Sequence, residues 1–112
     1  MTSPEQARQQ LQEALVGVER ELRRVGLWQS EPPPAEAFEN DKPFCVDTMT
    51  FPQWLQFVMM ERLEQLLHKG ASMPAYCDTA PMAEEYFRTE GIEARALIEA
   101  VRELDRLVTA SH

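Results

Sequence analysis

Residues 43–70 have the sequence PFCVDTMTFPQWLQFVMMERLEQLLHKG, and this stretch decides the fold. Residues 51–60 are all apolar or proline except for two glutamines, and a helix that is apolar nearly all round is normally buried on several sides. The run is too short to cross a bilayer, which takes about 20 apolar residues. Thr50 and Gln53 have the spacing of a capping box, and Gly70 suits the position after a helix end. The sequence therefore predicts a central helix that begins near Thr50 and ends just before Gly70.

Three further helices are predicted around this one. Apolar residues at three- and four-residue steps form one face of a long helix over residues 4–25 and of a last helix over residues 92–109. Between them, Thr79 can cap a short helix that ends at Gly91. No stretch alternates convincingly with period two, so no strand is predicted. We expect an all-α fold, a four-helix bundle-like array, in a single domain that comprises residues 1–112.

The segment between the first and the central helix is irregular in sequence. Three successive prolines at 32–34 cannot continue a helix and are typical of a stiff spacer. Residues 36–38 have room for one short turn, and Trp28 is expected to fold back onto the core. The prediction is a long Pro-rich loop between helices 1 and 2, without a second domain.

The charge distribution restricts the possible partners. The chain carries 19 acidic and 11 basic residues, for a net charge of −8. The excess acid lies mainly in the connecting segments, of which residues 31–47 carry a single basic residue, Lys42, against Glu31, Glu36, Glu39, Asp41 and Asp47. Nucleic acid requires a basic footprint, so direct nucleic-acid binding is not expected. The pattern favours a protein partner with a basic surface, with simple solubility as the alternative.

The sequence lacks the usual motifs of catalysis, metal binding and export. The first 25 residues are too polar for a signal peptide, which favours a cytoplasmic protein without membrane contact. Cys45 and Cys77 form no CxxC pair and are expected to be buried or part-buried thiols. His68 and His112 lack metal-ligand spacing, and neither a glycine-rich phosphate loop nor GxSxG occurs. We therefore expect no catalytic residues, no metal, no cofactor and no enzyme activity.

Six residues in and beside the central helix are the candidate binding residues: Pro43, Phe44, Asp47, Thr48, Gln56 and Arg62. Asp47 and Thr48 either cap the helix start or offer a carboxylate to a ligand. Gln56 is expected to bond a loop backbone group, because an unpaired buried amide is costly. Arg62 either pairs with an acid such as Asp47 or faces a partner. The methionines favour core filling over an adaptable docking groove.

Part of this stretch resembles the YqcC-like family of small bacterial proteins of unknown function. The residues that carry the resemblance are Pro43, Phe44, Asp47, Thr48, Met49, Trp54, Leu55, Gln56, Phe57 or Val58, and Arg62. A looser similarity covers nearly the whole chain and includes Trp28, Pro74, Ala75, Ala80 and Pro81. Members of the family often have a proline just before the arginine, where this chain has Glu61, so the resemblance does not assure a kink in the helix.

The resemblance implies a helical-bundle fold and no established reaction. Genes of the family often lie beside one for a tRNA pseudouridine synthase. Three functional hypotheses follow. The chain is a protein-binding or adaptor module that docks through residues 31–48 and Arg62, an accessory factor for tRNA pseudouridine modification, or a small-molecule binder with its site between the central helix and residues 71–80.

Overall fold

The fold is all-helical, as predicted. The computed structural model describes residues 3–39, 49–74 and 77–110, and no strand occurs within these ranges. Helix α1 spans Pro4–Arg24, and a single 3-10 turn follows at Ala35–Phe38. The central helix, α2, comprises Phe51–Trp54, a π-helical segment Leu55–Met60, and Glu61–Lys69. Helices α3 and α4 span Ala80–Glu90 and Arg95–Ala110. The predicted four-helix array is confirmed, with α4 starting three residues later than expected.

The ends of the first two helices follow the predicted cap chemistry. The Ser3 hydroxyl accepts from the Gln6 N–H, and the Gln6 side chain accepts in return from the Ser3 N–H. Thr50 and Gln53 make the same reciprocal pair at the start of α2. At its other end, Gly70 adopts a φ of 68°, which L-residues rarely tolerate. These caps satisfy backbone groups that helix ends otherwise leave unpaired.

One continuous core lies between the helices. Helix α1 packs mainly on α4 through its buried residues Leu11, Leu15, Val18 and Leu22. The start of α2 packs on α3, where the Phe51 and Phe87 rings meet edge to face with their centroids 6.3 Å apart. Met59 and Met60 are buried in this core, as predicted for the methionines. Burying one large aliphatic or aromatic side chain contributes about 1.5–3 kcal/mol, so this core dominates the stability.

The turn after α1 folds back as predicted. Gly26 has a φ of 78°, and the N–H groups of Leu27 and Trp28 both donate to the Leu22 carbonyl. Trp28 packs against the core, and the Arg23 guanidinium lies 4.8 Å above its ring. The chain beyond Trp28 thereby starts against α2.

In the described ranges, the helices are all too short or too polar to serve as a membrane span.

Candidate functional site

The candidate residues from the sequence divide into two groups. Pro43, Phe44, Asp47 and Thr48 lie outside the described residues, so their capping or binding roles stay predictions. Gln56 and Arg62 lie on α2. The structure therefore describes only the two candidate residues on α2, Gln56 and Arg62.

Gln56 makes the bond to a loop backbone that the sequence predicts. Its side chain is 5% exposed and lies in the π-helical segment. Its Oε1 accepts from the Gln29 N–H at 3.0 Å, and its Nε2 donates to the Gln29 carbonyl at 2.7 Å. The Gln53 amide adds a 3.3 Å bond to the Gln29 side chain. The loop is therefore fastened to α2 at Gln29.

Arg62 points into solvent from the second half of α2. It makes no hydrogen bond or ion pair with the part of the chain that the structure describes, and Asp47 lies outside that part. Its role in binding a partner stays a prediction.

The loop beyond Gln29 presents acid and one aromatic ring to solvent. We define the acidic segment as residues 31–39. Its three glutamates, Glu31, Glu36 and Glu39, are exposed, and it contains no basic residue. Phe38 is 39% exposed, whereas its neighbour Ala37 is buried. The acidic segment thus combines exposed negative charge with a partly exposed apolar side chain, a composition that suits contact with a basic protein surface.

A second polar cluster, centred on Asp105, was not predicted. Asp105 lies in the inward stripe of α4 and is 6% exposed. One of its oxygens accepts from the N–H groups of Thr79 and Ala80, each at 2.7 Å, at the start of α3. Thr79 occupies the predicted cap position, but its side chain makes no cap bond and donates instead to the Met59 sulfur at 3.3 Å. The sequence prediction of a Thr79 cap was therefore wrong: α4 supplies the cap.

The Cys77 thiol belongs to the same cluster. Its Sγ donates to the other Asp105 oxygen at 3.1 Å, while the Thr109 hydroxyl bonds both the N–H and the carbonyl of Cys77. Burial, and then the hydrogen bond to Asp105, raise the pKa of Cys77 to about 12. The thiol is consequently protonated at neutral pH and is a poor nucleophile. Cys77 is half-buried, as the sequence indicated, and Cys45 lies outside the described residues.

A surface depression of about 490 Å³ opens above this cluster, between residues 77–81 and α4. The two arginines at its rim are already engaged, since Arg102 pairs with Glu84 and Glu99, and Arg106 pairs with Glu103. The carboxylate at its base serves the start of α3. The small-molecule hypothesis placed its site between the central helix and residues 71–80, whereas no residue of the central helix lines this depression. The hypothesis stays a prediction.

The groove between α1 and α2 is a third polar surface. Burial raises the pKa of Glu64, and the nearby carboxylates of Glu19 and Glu61 raise it further. Arg8 donates from Nη2 to the Leu67 carbonyl at 2.8 Å and so fastens α1 to the end of α2.

In residues 3–39, 49–74 and 77–110, no three histidine, cysteine or acidic side chains are grouped so that they could hold a metal ion.

The helix order, the caps and these surfaces define a small all-helical protein, and comparison with known proteins identifies its family. Residues 10–107 match the DUF446 family, described as "tRNA pseudouridine synthase C". The uncharacterised protein YqcC of Escherichia coli K12 is 30% identical over 107 residues, which cover 96% of this chain and 94% of that protein. The chain therefore belongs to the YqcC-like family, DUF446, and the resemblance seen in the sequence is confirmed.

Other relatives agree in fold or carry an informative name. The solution NMR structure of E. coli YqcC superimposes with a TM-score of 0.77 at 28% identity and covers 100% of this chain and 92% of that one. An uncharacterised protein of Haemophilus influenzae is 37% identical over 78 residues, 70% of this chain and 74% of that protein. A "tRNA pseudouridine synthase C" of Pectobacterium carotovorum subsp. carotovorum is 39% identical over 71 residues, 61% of this chain but only 19% of that protein. These matches assign no enzyme activity to the chain.

Proposed function

We propose that this chain is a non-catalytic protein-binding domain that acts as an accessory factor of a tRNA pseudouridine synthase. The observation that carries the proposal is the match to the Pectobacterium protein named for that activity, which corresponds to this chain over only 19% of its length. The other four fifths of that protein are available to carry the synthase activity. In our proposal, the present chain makes with a synthase the association that the matching part of the longer protein makes within one polypeptide.

The charge of the chain supports this division of labour. An enzyme that binds tRNA needs lysines and arginines for the phosphates. This chain, with a net charge of −8, has the opposite balance and is poorly suited to hold RNA by itself. It is well suited to meet a basic enzyme surface, because opposite potentials steer two proteins together and raise the rate of association.

The acidic segment is the surface that we propose for docking. Glu36 and Glu39 flank Phe38, and all three are exposed. In this proposal Phe38 enters an apolar pocket of the synthase, since aromatic anchors supply much of the energy of an interface. The glutamates surround it and meet lysines or arginines of the partner.

The test is binding of the purified chain to the tRNA pseudouridine synthase C of the same organism, measured by isothermal titration calorimetry. We expect a stoichiometric complex that weakens at least tenfold when the salt concentration rises from about 50 to 300 mM, because screening shortens the reach of exposed charges. Phe38→Ala and the double variant Glu36→Gln/Glu39→Gln should each weaken it by about tenfold or more.

Matched controls lie elsewhere on the surface. Among the described residues, Val16 is the other exposed large apolar residue, at 54%. Glu90 and Glu93 are exposed acids at the corner between α3 and α4. Val16→Ala and Glu90→Gln/Glu93→Gln should leave the affinity unchanged. No binding by the wild-type chain would overturn the proposed function. Binding that is weakened equally by docking and control variants would overturn only the docking surface.

A further inference from the structure

We infer that the acidic segment docks on the surface with which the synthase holds tRNA, so that the chain and tRNA compete for the enzyme. This inference rests on the proposed function and adds to it the place of docking and its consequence. An enzyme that binds tRNA must collect lysines and arginines where the phosphates lie. The acidic segment carries three exposed glutamates and no basic residue, so that same surface is its best electrostatic match.

The charge of the acidic segment is not compensated by neighbouring side chains. Glu31, Glu36 and Glu39 make no ion pair in the part of the chain that the structure describes. On the helices, by contrast, glutamates pair with arginines: Glu19 with Arg23, Glu21 with Arg24, Glu85 with Arg88, Glu84 and Glu99 with Arg102, and Glu103 with Arg106. The acidic segment therefore keeps its charge available to a partner.

The 3-10 turn at Ala35–Phe38 sets the spacing of two of these carboxyl groups. The Ala37 N–H donates to the Pro34 carbonyl at 2.9 Å, and the Glu39 N–H donates to the Glu36 carbonyl at 3.1 Å. In a 3-10 helix, residues three positions apart lie on the same side, about 6 Å apart along the axis. Phosphates recur every ~3.4 Å of axis along one strand of B-form DNA. Glu36 and Glu39 therefore span about two phosphate steps, and cations placed to meet phosphates can meet both.

The Pectobacterium relative supplies a separate reason to expect docking close to the tRNA. In that protein, a stretch similar to this chain belongs to one polypeptide named as a tRNA pseudouridine synthase C. Parts of one polypeptide meet at an effective concentration of about millimolar, so even a weak contact forms. The alternative is docking on a basic surface remote from the tRNA. Such docking would leave the tRNA affinity unchanged, because exposed charges more than about 8 Å apart are largely screened at physiological salt.

Competition for the purified synthase, at about 150 mM salt, tests the inference. The affinity of the synthase for a fluorescently labelled, unmodified transcript of a tRNA that it modifies is measured by anisotropy at increasing concentrations of the chain. At a chain concentration about ten times its own dissociation constant, the apparent dissociation constant for tRNA should rise about elevenfold. Reciprocally, saturating tRNA should suppress the heat of chain binding in calorimetry. The chain alone should not change the anisotropy of the tRNA.

Two double variants show whether the acidic segment is responsible. Glu36→Gln/Glu39→Gln should need about tenfold more protein than wild type to displace the same amount of tRNA. Glu90→Gln/Glu93→Gln removes the same charge from the corner between α3 and α4 and should displace tRNA as wild type does. All four positions are exposed, so both variants should keep the helix content of the wild-type chain, as circular dichroism can verify.

The outcomes separate this inference from the proposed function. If the chain binds no synthase, the proposed function falls and the inference falls with it. If the chain binds the synthase but leaves the tRNA affinity unchanged or raises it, the inference falls and the proposed function stands. Equal weakening by the two double variants would overturn the role of the acidic segment and make the competition an effect of total charge. A change of anisotropy with the chain alone would also overturn the inference, because the chain would then bind tRNA itself.

Discussion

Replacing Asp105 should lower the stability of the fold, because this side chain accepts several buried hydrogen bonds. Asp105→Ala leaves two N–H groups at the start of α3 and the Cys77 thiol without their acceptor. Hydrogen bonds to a charged group are worth about 1.5–3 kcal/mol each, and loss of a helix cap costs about 0.5–2 kcal/mol. We expect the free energy of unfolding to fall by about 2–4 kcal/mol, measured by urea denaturation followed by circular dichroism.

The control for Asp105 is an acid of the same helix that serves no buried group. Glu103 is exposed and pairs only with Arg106 among the described residues, so Glu103→Ala should cost less than about 1 kcal/mol. Asp105→Asn keeps an acceptor oxygen and should fall between the two. A loss in Asp105→Ala no larger than that of the control would show that water replaces the carboxylate.

Gln56 and Asp105 also show which polar contacts a sequence can predict. Gln56 stands among apolar residues in an extended apolar run, so a backbone partner could be predicted, although not that it would be Gln29. Asp105 follows Leu104 in the inward stripe of α4, and an acid at such a position is a signal of a buried acceptor. Its partners lie 25 or more positions earlier in the chain, so only tertiary packing identifies them.

At the level of elements, the π-helical segment should lower the cost of a proline at position 61. Glu61 is exposed and follows the π segment directly, and its N–H donates to Val58, three residues earlier. A proline inside a regular α-helix costs about 3 kcal/mol or more, because it removes a bond to the residue four positions earlier and clashes with that carbonyl. Glu61→Pro should therefore cost less than about 2 kcal/mol in the free energy of unfolding.

Gln65→Pro is the matched control for Glu61→Pro. Gln65 is equally exposed and lies one turn later, in the α-helical part of α2, so its substitution should cost about 3 kcal/mol or more. Thermal and urea unfolding of the two variants give the comparison. An equal loss of stability in both would mean that the backbone at Glu61 behaves as an ordinary α-helix.

The caps of α1 and α2 were predictable from the sequence because cap residues act on their own backbone within one turn. The π segment was not, because residues 51–60 are so uniformly apolar that their pattern fits any helical register. The start of α3 was placed correctly at Thr79, but the capping side chain was misassigned, because Asp105 of another helix supplies the cap. Caps formed within one helical turn can be predicted from the sequence, whereas the partners of contacts between helices cannot.

For the molecule as a whole, docking to a separate synthase is a bimolecular association, so the fraction bound depends on the protein concentrations. Joining the chain and the synthase by a flexible linker replaces that dependence with an effective concentration of about millimolar. A Gly/Ser linker of about 50 residues has a mean reach of about 40 Å. This matches the 40 Å longest dimension of the chain, so the fusion does not restrict the docking geometry.

A weakened docking variant should therefore be rescued by fusion. With separate proteins at micromolar concentration, Phe38→Ala should lose the exchange protection that docking gives to residues 36–39, because its affinity is about tenfold lower. In the fusion, the same variant should keep protection close to that of the wild-type fusion, because millimolar effective concentration exceeds the weakened dissociation constant. Hydrogen exchange read by mass spectrometry measures both. Equal loss of protection in the separate and fused forms would mean that Phe38 shapes the bound arrangement itself, since a deficit in affinity alone would be corrected by tethering.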